Sequence, residues 1–341
     1  MFGKHVGWMV SHLKFCRHVH QSWISPLRFC SIFPCHEIFI LINGSWPWST
    51  LYKNKGSKAL PGSYRPISLL SNVSKVFGRL VKKQLLSFFS EHEVIPDEQF
   101  GFLPGRSTVW QLLQVLEEWQ TALDNGRTVH ALFLDAEKAF DKVDHGLLLA
   151  KMRSVGLGRD ALMWMSSFLD GRRIRTVVDG AMLEFRPTLS GVPQGSALGP
   201  LLFLIYFADL PRTITSSSVL FADDTLLYDL NCDCFNAQPS ATGACTVAAD
   251  TSALSCWAKD WNATFNASKS TDMFITHRSH QADSPLMTMG SVAIPRSTCT
   301  RHLGLWVSEN LSWKDHVKTI MGKVTPKLAV LRVFGISLTF P

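Results

Sequence analysis

Asp223 and Asp224 stand side by side in Ser218-Val219-Leu220-Phe221-Ala222-Asp223-Asp224-Thr225-Leu226-Leu227-Tyr228. The apolar residues on either side predict two strands, with the acids at the tip of the hairpin between them. Two carboxylates about 4 Å apart repel by roughly 4 kcal/mol at an effective dielectric of ~20. One of them therefore keeps its proton to higher pH unless a cation is present. A divalent ion that prefers oxygen ligands, Mg2+ or Mn2+, resolves the repulsion. Asp is also common in turns, so the pair taken alone reads more simply as a solvated bend.

Its company argues otherwise. Val129 to Leu134 (VHALFL) is a nearly continuous apolar run, the pattern of a strand buried on both faces, and it delivers Asp135 at its end. If that strand neighbours the hairpin, Asp135 and Asp223 face each other and can share metals. Between them lies Ser190-Gly191-Val192-Pro193-Gln194-Gly195-Ser196, a Gly/Pro/Gln loop leading into an apolar helix from about Leu198 to Phe207. Two divalent ions roughly 3.5–4 Å apart are the apparatus of in-line phosphoryl transfer. One activates an attacking 3′-hydroxyl and the other holds the triphosphate and leaving group. A phosphatase-type hydrolase is the competing chemistry, because Leu134-Asp135-Ala136-Glu137 follows a strand as an Asp-x-Asp nucleophile does. The second Asp is missing, and the 191–224 motifs go unexplained.

The surrounding chain alternates helix and loop. Tyr52 to Ser63 is a basic, Gly/Pro-containing loop, and Tyr64-Arg65-Pro66-Ile67 leads from it into a helix. Val73, Val76, Phe77, Leu80, Val81, Leu85, Phe88 and Phe89 form that helix's apolar stripe. Gln99 to Ser107 is a loop, Thr108 and Gln111 a capping box, and Val109 to Leu123 a second amphipathic helix. Asp144 can cap a helix that Gly156 closes, and Ala161 to Leu169 is another. Asp179-Gly180 is a hairpin turn. Residues 231–250 read as a loop, Leu254 to Trp261 as helix, Thr271 to Thr276 and Leu303 to Val307 as strands, and a last helix starts near Trp313. Residues 1–47 carry no clear period.

With 46% apolar residues among 341, one large domain or two modest ones can bury a core. The formal charge of +7 favours an anionic partner such as nucleic acid. Eight irregularly spaced cysteines complete no zinc set and read as reduced and structural. No apolar run reaches the length of a membrane span, so no membrane association is expected.

Three segments in this order carry a resemblance: Phe133-Leu134-Asp135-Ala136-Glu137-Lys138-Ala139-Phe140-Asp141, Gly191 to Ser196, and Phe221-Ala222-Asp223-Asp224. They look like the palm motifs of a reverse transcriptase, and most resemble the non-LTR (LINE-type) retrotransposon enzymes. Flanking matches are Tyr64 to Leu69, Gln99-Phe100-Gly101-Phe102 with Pro104 to Thr108, and Leu303-Gly304 with Leu311-Ser312-Trp313. The similarity covers about residues 48–325.

The resemblance implies roles residue by residue. Asp135, Asp223 and Asp224 are the catalytic triad and the ligands of two Mg2+ (or Mn2+) ions, with Asp135 and Asp223 the main ligands. Phe140 is the aromatic gate against a ribose 2′-hydroxyl, unless it is simply a core Phe. Gln194 and Gly195 shape the pocket for the incoming nucleotide. Arg65 and Arg106 resemble residues near the triphosphate or template, where an arginine offers paired donors to phosphate; a surface Arg is the plain alternative. Lys269 matches a position proposed to protonate the pyrophosphate, and an exposed Lys is its plain alternative. Leu303-Gly304 resembles the primer grip. Leu103 departs from a basic residue in many relatives, and His302 from a common aromatic.

The implied fold is α+β: a right-hand polymerase with fingers and palm, an antiparallel palm sheet backed by helices, and a truncated thumb. The implied layout is an unassigned segment at 1–47, a reverse transcriptase domain of fingers and palm at 48–310, and the start of the thumb at 311–341. The implied function is RNA-directed DNA polymerisation by a LINE-like element, with an RNA template, a DNA primer and dNTP as partners. The alternative is a catalytically inactive remnant that at most binds RNA. Location follows only from the element's lifestyle, in nucleus or cytoplasm.

Overall fold

The structure, a computed structural model, describes residues 48–53, 64–175, 177–178, 181–182, 184–232, 246–277 and 286–333. The expectations for 1–47, for the loop after residue 53, for the turn at Asp179-Gly180 and for 233–245 lie outside the described residues.

In chain order the elements begin β1 (Trp48–Lys53), β2 (Tyr64–Leu69), α1 (Asn72–Glu91), α2 (Thr108–Asp124) and β3 (Val129–Asp135). Next come α3 (His145–Ser154), α4 (Arg159–Leu169), β4 (Arg173–Ile174), β5 (Val177–Val178), β6 (Ala181–Met182) and β7 (Arg186–Pro187). Then follow α5 (Gly199–Phe207), a 3-10 turn (Leu210–Thr213), β8 (Ser217–Phe221), β9 (Asp224–Asp229) and α6 (Thr246–Asp260). The chain continues with β10 (Thr271–Ile275), β11 (Thr288–Met289), β12 (Val292–Ala293), β13 (Cys299–His302), β14 (Leu305–Ser308) and α7 (Lys314–Val333).

These elements form two compact units that interleave along the chain. One comprises the described parts of Met1–Ile95 and Val143–Tyr206, the other those of Pro96–Lys142 and Phe207–Pro341.

In the first unit β1 and β2 make an antiparallel pair, Trp48 opposite Leu69 and Lys53 opposite Tyr64. Tyr64-Arg65-Pro66-Ile67 is therefore strand, and the helix it leads into begins at Asn72, next to the expected Val73, where Ser71 Oγ accepts from Ser74 N–H at 3.1 Å. The helix buries Val81, Leu85 and Phe89, while Val76 and Leu80 of the anticipated stripe are exposed. The buried face is thus rotated from the full apolar stripe. Asp144 caps α3 through the Leu147 N–H at 2.9 Å, as anticipated.

The second unit is built on a four-stranded antiparallel sheet in the order β10–β3–β9–β8. Alternation divides its side chains. Val129, Ala131 and Phe133 share one face with Leu226, Tyr228, Val219, Met273 and Ile275, following the register that pairs Phe133 with Leu226 and Ala131 with Met273. Val115, Trp119, Ala122 and Leu123 of α2, with Val307 of β14, complete this core. Trp119 meets Phe133 and Tyr228 edge-on, with ring centroids 6.3 and 5.9 Å away. Burying six or more such side chains at about 1.5–3 kcal/mol each is the main force holding α2 to the sheet. The Tyr228 hydroxyl donates to Glu118 at 2.6 Å, and burial, then that carboxylate, push its phenol well up. Helix α2 is capped by Ser107, whose Oγ accepts from Trp110 N–H at 3.2 Å, one residue before the capping box anticipated at Thr108.

The other sheet face holds a charged set. His130 Nε2 lies 2.5 Å from Asp272 Oδ1, and Arg296 donates to Asp272 Oδ2 at 2.9 Å. The His130 ring stacks on Phe274 at 4.3 Å. Asp272 is wholly buried and tolerable only because these partners accompany it.

Two anticipated elements differ. Residues 231–250 are not wholly loop, because α6 starts at Thr246, with Thr246 Oγ1 donating to Asp229 at 2.9 Å. Leu303 to Val307 is not one strand: Leu303 and Gly304, at φ +47 and +93, are the turn between β13 and β14. Among the described residues no helix is long and apolar enough to cross a membrane.

Candidate active site

Strand β3 carries Asp135 at its last position, and the register places it opposite Asp224, the first residue of β9. The facing pair expected from the sequence, Asp135 with Asp223, is thus displaced by one residue. Asp223 sits in the tip itself, between Phe221 and Asp224, which close the hairpin. Ala222, the first turn residue, has φ +59, and Asp223 has no positive φ. A positive φ at the first residue of a tight hairpin turn is where glycine is usual. An L-residue in the left-handed region costs roughly 1–2 kcal/mol, so the surroundings must hold this turn.

They do so through a distant loop. Phe100 N–H donates to Leu220 O at 2.7 Å, and Leu220 N–H donates to Glu98 O at 2.8 Å, a short parallel bridge along the free side of β8. From that bridge Gln99 reaches the turn. Its Oε1 accepts from Ala222 N–H at 2.9 Å and from Gly101 N–H at 2.7 Å. Gln99 is 2% exposed. Gly101 is packed so closely that a Cβ there would lie 2.4 Å from Ala222 N.

Burial, then the charges of Asp223 and Asp135, push the Asp224 carboxyl up to about 6. The three acids therefore feel one another. Among the described residues, however, no three His, Cys, Asp or Glu side chains stand close enough to hold an ion by themselves. The donor set is all oxygen, anionic and strained by its own repulsion, which suits a hard divalent cation.

Lys269 Nζ lies 3.8 Å from Asp135 Oδ2. The segment around it is tied to the end of β3: Asn266 N–H donates to Asp135 O at 2.8 Å, and Glu137 N–H to Thr264 O at 2.8 Å. The lysine is largely exposed, so this pair contributes little stability. Phe140 lies just beyond, edge-on to Phe102 at 6.1 Å. Arg106 is engaged with its own loop: it donates to Asp97 Oδ1 at 2.6 Å and Gln99 O at 3.0 Å, and lies 5.2 Å over the Phe100 ring. These bonds use part of the guanidinium's five N–H donors, so the expected phosphate contact is neither made nor blocked by them.

The remaining expected residues belong to the first unit. Arg65 is on β2. Gln194 and Gly195 form the turn before α5, where Gln194 O accepts from Ser68 N–H at 2.9 Å. Gly195 has φ +92, a conformation that a side chain would strain. The start of this loop is tied down by groups the sequence did not suggest. Gly191 N–H donates to Val143 O at 2.7 Å, and Gly191 O accepts from Arg172 and from His145 Nε2, the latter at 2.8 Å. Arg172 also donates to Leu169 O at 2.9 Å and is 8% exposed, and burial lowers its guanidinium to about 10.

His302 stands beside the Leu303-Gly304 turn, its ring 5.3 Å from Phe133. Burial lowers its imidazole to about 4, so it is neutral and serves as an aromatic ring. The departure noted in the sequence is thereby made small.

Over residues 52–307 the chain matches the family described as reverse transcriptase (RNA-dependent DNA polymerase). It is 34% identical over 287 residues to the probable RNA-directed DNA polymerase from transposon X-element of Drosophila melanogaster, covering 82% of this chain and 30% of that protein. It is 30% identical over 275 residues to the RNA-directed DNA polymerase from mobile element jockey of the same fly, covering 78% of this chain and 29% of that one. The chain thus spans about 30% of the length of these curated relatives. Among solved structures it is similar to an apo telomerase from Candida Tropicalis truncated from its C-terminal domain, with TM-score 0.52, 10% identity, and coverage of 78% of this chain and 54% of that one. At that identity the likeness concerns the fold alone. With its antiparallel sheet, its paired acids and a family match over most of its length, the chain belongs to the reverse transcriptases, in their non-LTR, LINE-type branch, and has their polymerase palm-and-fingers fold.

Proposed function

We propose that this chain is the catalytic portion of an RNA-directed DNA polymerase that adds dNTP to a primer 3′-hydroxyl on an RNA template. The observation that carries this reading is the pairing of Asp135 with Asp224 across β3 and β9, with Asp223 in the adjoining turn. Reverse transcriptases depend on divalent metal, and here Asp135, Asp223 and Asp224 would hold two Mg2+ or Mn2+ ions. When bound, such ions lower the pKa of the attacking hydroxyl and neutralise charge on the phosphates.

The other residues take supporting parts. Lys269, tethered beside Asp135, supplies a proton to the departing pyrophosphate. Phe140 presents a ring that excludes a ribose 2′-hydroxyl. Gln194 and Gly195 offer a close backbone approach to the incoming nucleotide, and Arg65 offers paired donors to its phosphates. The formal charge of +7 suits a polyanionic template and primer.

Incorporation of dNTP by the purified chain on a primed RNA template, with Mg2+ or Mn2+, tests the reading. The parent is expected to extend the primer, and the Asp223→Ala, Asp224→Ala double variant to show no extension above background. A folded parent that fails to extend the primer would leave a palm-fold remnant whose remaining role is at most RNA binding.

A further inference from the structure

The loop Pro96–Ser107 supplies no carboxylate to the triad, yet its buried amide touches the catalytic turn. We propose that Gln99 is a positioning residue that fixes the Ala222–Asp223 turn through its side-chain carbonyl and thereby sets how Asp223 and Asp224 are presented. The assignment rests on the polymerase reading for its catalytic consequence and on geometry alone for its structural one.

Three observations converge. One acceptor, Gln99 Oε1, serves two N–H groups, at 2.7 and 2.9 Å, one on its own loop and one on the turn. The turn needs such a restraint because its first residue is an alanine at φ +59. Gly101 allows the approach, since any Cβ would meet Ala222 N and Phe221 C at 2.4 and 3.0 Å. Arg106 braces the same loop through Asp97 and Gln99 O.

The clamp is neutral, and that is chemically apt. A lysine or arginine reaching this turn would form ion pairs with Asp223 and Asp224 and compete with a divalent cation. An amide carbonyl fixes the backbone and leaves the carboxylates free to respond to one.

The test compares the parent chain, Gln99→Leu and Gln99→Glu below their unfolding midpoints. Leucine keeps the bulk and removes the acceptor, whereas glutamate keeps an acceptor oxygen. Gln99→Leu is expected to lower kcat for dNTP incorporation by about 10–100-fold, with KM for dNTP changed less than about threefold, because misplacement of reacting groups falls on the chemical step. Gln99→Glu is expected to recover kcat to within about fivefold of the parent at saturating metal. Mn2+ binding, followed by loss of the free-ion electron paramagnetic signal, is expected to weaken about tenfold in Gln99→Leu. Equal kcat and equal Mn2+ affinity in parent and Gln99→Leu would overturn the assignment. So would equal impairment of the Leu and Glu variants. If the parent extends no primer, the polymerase reading fails on its own, and Mn2+ affinity alone decides the role of Gln99. If Gln99→Leu does not fold, Gln99→Asn, one methylene too short for the turn, carries the same expectations.

Discussion

Two loops in this molecule are held by opposite means. The acidic turn, Ala222–Asp223, is pinned by an uncharged amide that accepts one N–H from the turn and one from its own loop. The Gly191–Gly195 loop is pinned by a buried guanidinium and an imidazole that donate to one backbone carbonyl. The first site holds three carboxylates whose mutual repulsion invites a cation. A cationic support there would pre-empt that cation, so a neutral one is used. The second holds no carboxylate in its turn and can tolerate a buried cation, at the cost of a guanidinium lowered to about 10. The support is thus matched to the charge of what it supports.

Paired glycine substitutions give the largest expected effect. Gly101→Ala places a Cβ 2.4 Å from Ala222 N, and Gly199→Ala places one 2.7 Å from Pro193 O. Both should lower stability by about 1–3 kcal/mol in denaturant unfolding. Gly101→Ala should cut incorporation about 100-fold, and it alone should also weaken Mn2+ binding. Equal metal affinity in the two variants would erase the distinction between the loops.

Arg172→Met comes next. It leaves the carbonyls of Leu169 and Gly191 short of a donor, a loss of about 2–3 kcal/mol in the same unfolding measurement. Mn2+ affinity should not change. Arg172→Lys should restore less than half of the loss, since an ammonium lacks the planar fork.

The smallest effect is a pH dependence. Asp224 carries a carboxyl raised to about 6 by burial and by Asp223 and Asp135, so the folded chain favours its protonated form. Metal-free stability should therefore be full below about pH 4 and decline as pH rises through about 6, by on the order of 1–2 °C in Tm, since the residue keeps part of its surface in solvent and screening reduces the effect. Asp224→Asn should flatten that window, and added Mg2+ should reverse the decline at pH 7. A metal-free Tm that rises across the window would contradict the sign.

Much of this was legible in the sequence because it is local. The VHALFL run gave β3 and the position of Asp135, and the apolar flanks of Asp223-Asp224 gave the hairpin. What escaped is what depends on partners far along the chain. Nothing near Gln99 reveals that its amide meets Ala222, and nothing near Asp272 reveals His130. The one-residue offset that sets Asp135 against Asp224 comes from strand register, which a hydrophobic pattern allows but does not number. The stripe of α1 misled at Val76 and Leu80 because an apolar residue on a helix need not be on its buried face. The strand at Tyr64 to Leu69 is hidden in the sequence because its partner, Trp48–Lys53, carries no distinct signal.

The bridge between Gln99 and Leu220 also bears on how the chain acquires its form. Strands β8 and β9 are joined by a tight turn and can pair early, on the microsecond scale typical of hairpins. The clamp on that turn comes from a residue 123 positions away. Closing so long a loop carries an entropic cost that only a collapsed core repays. During renaturation the hairpin is therefore expected to precede its own restraint, with the turn fixed only when the Gln99 loop docks. The turn that carries the acids should thus be among the last parts to become rigid, measurable as late protection of the Ala222 amide from hydrogen exchange.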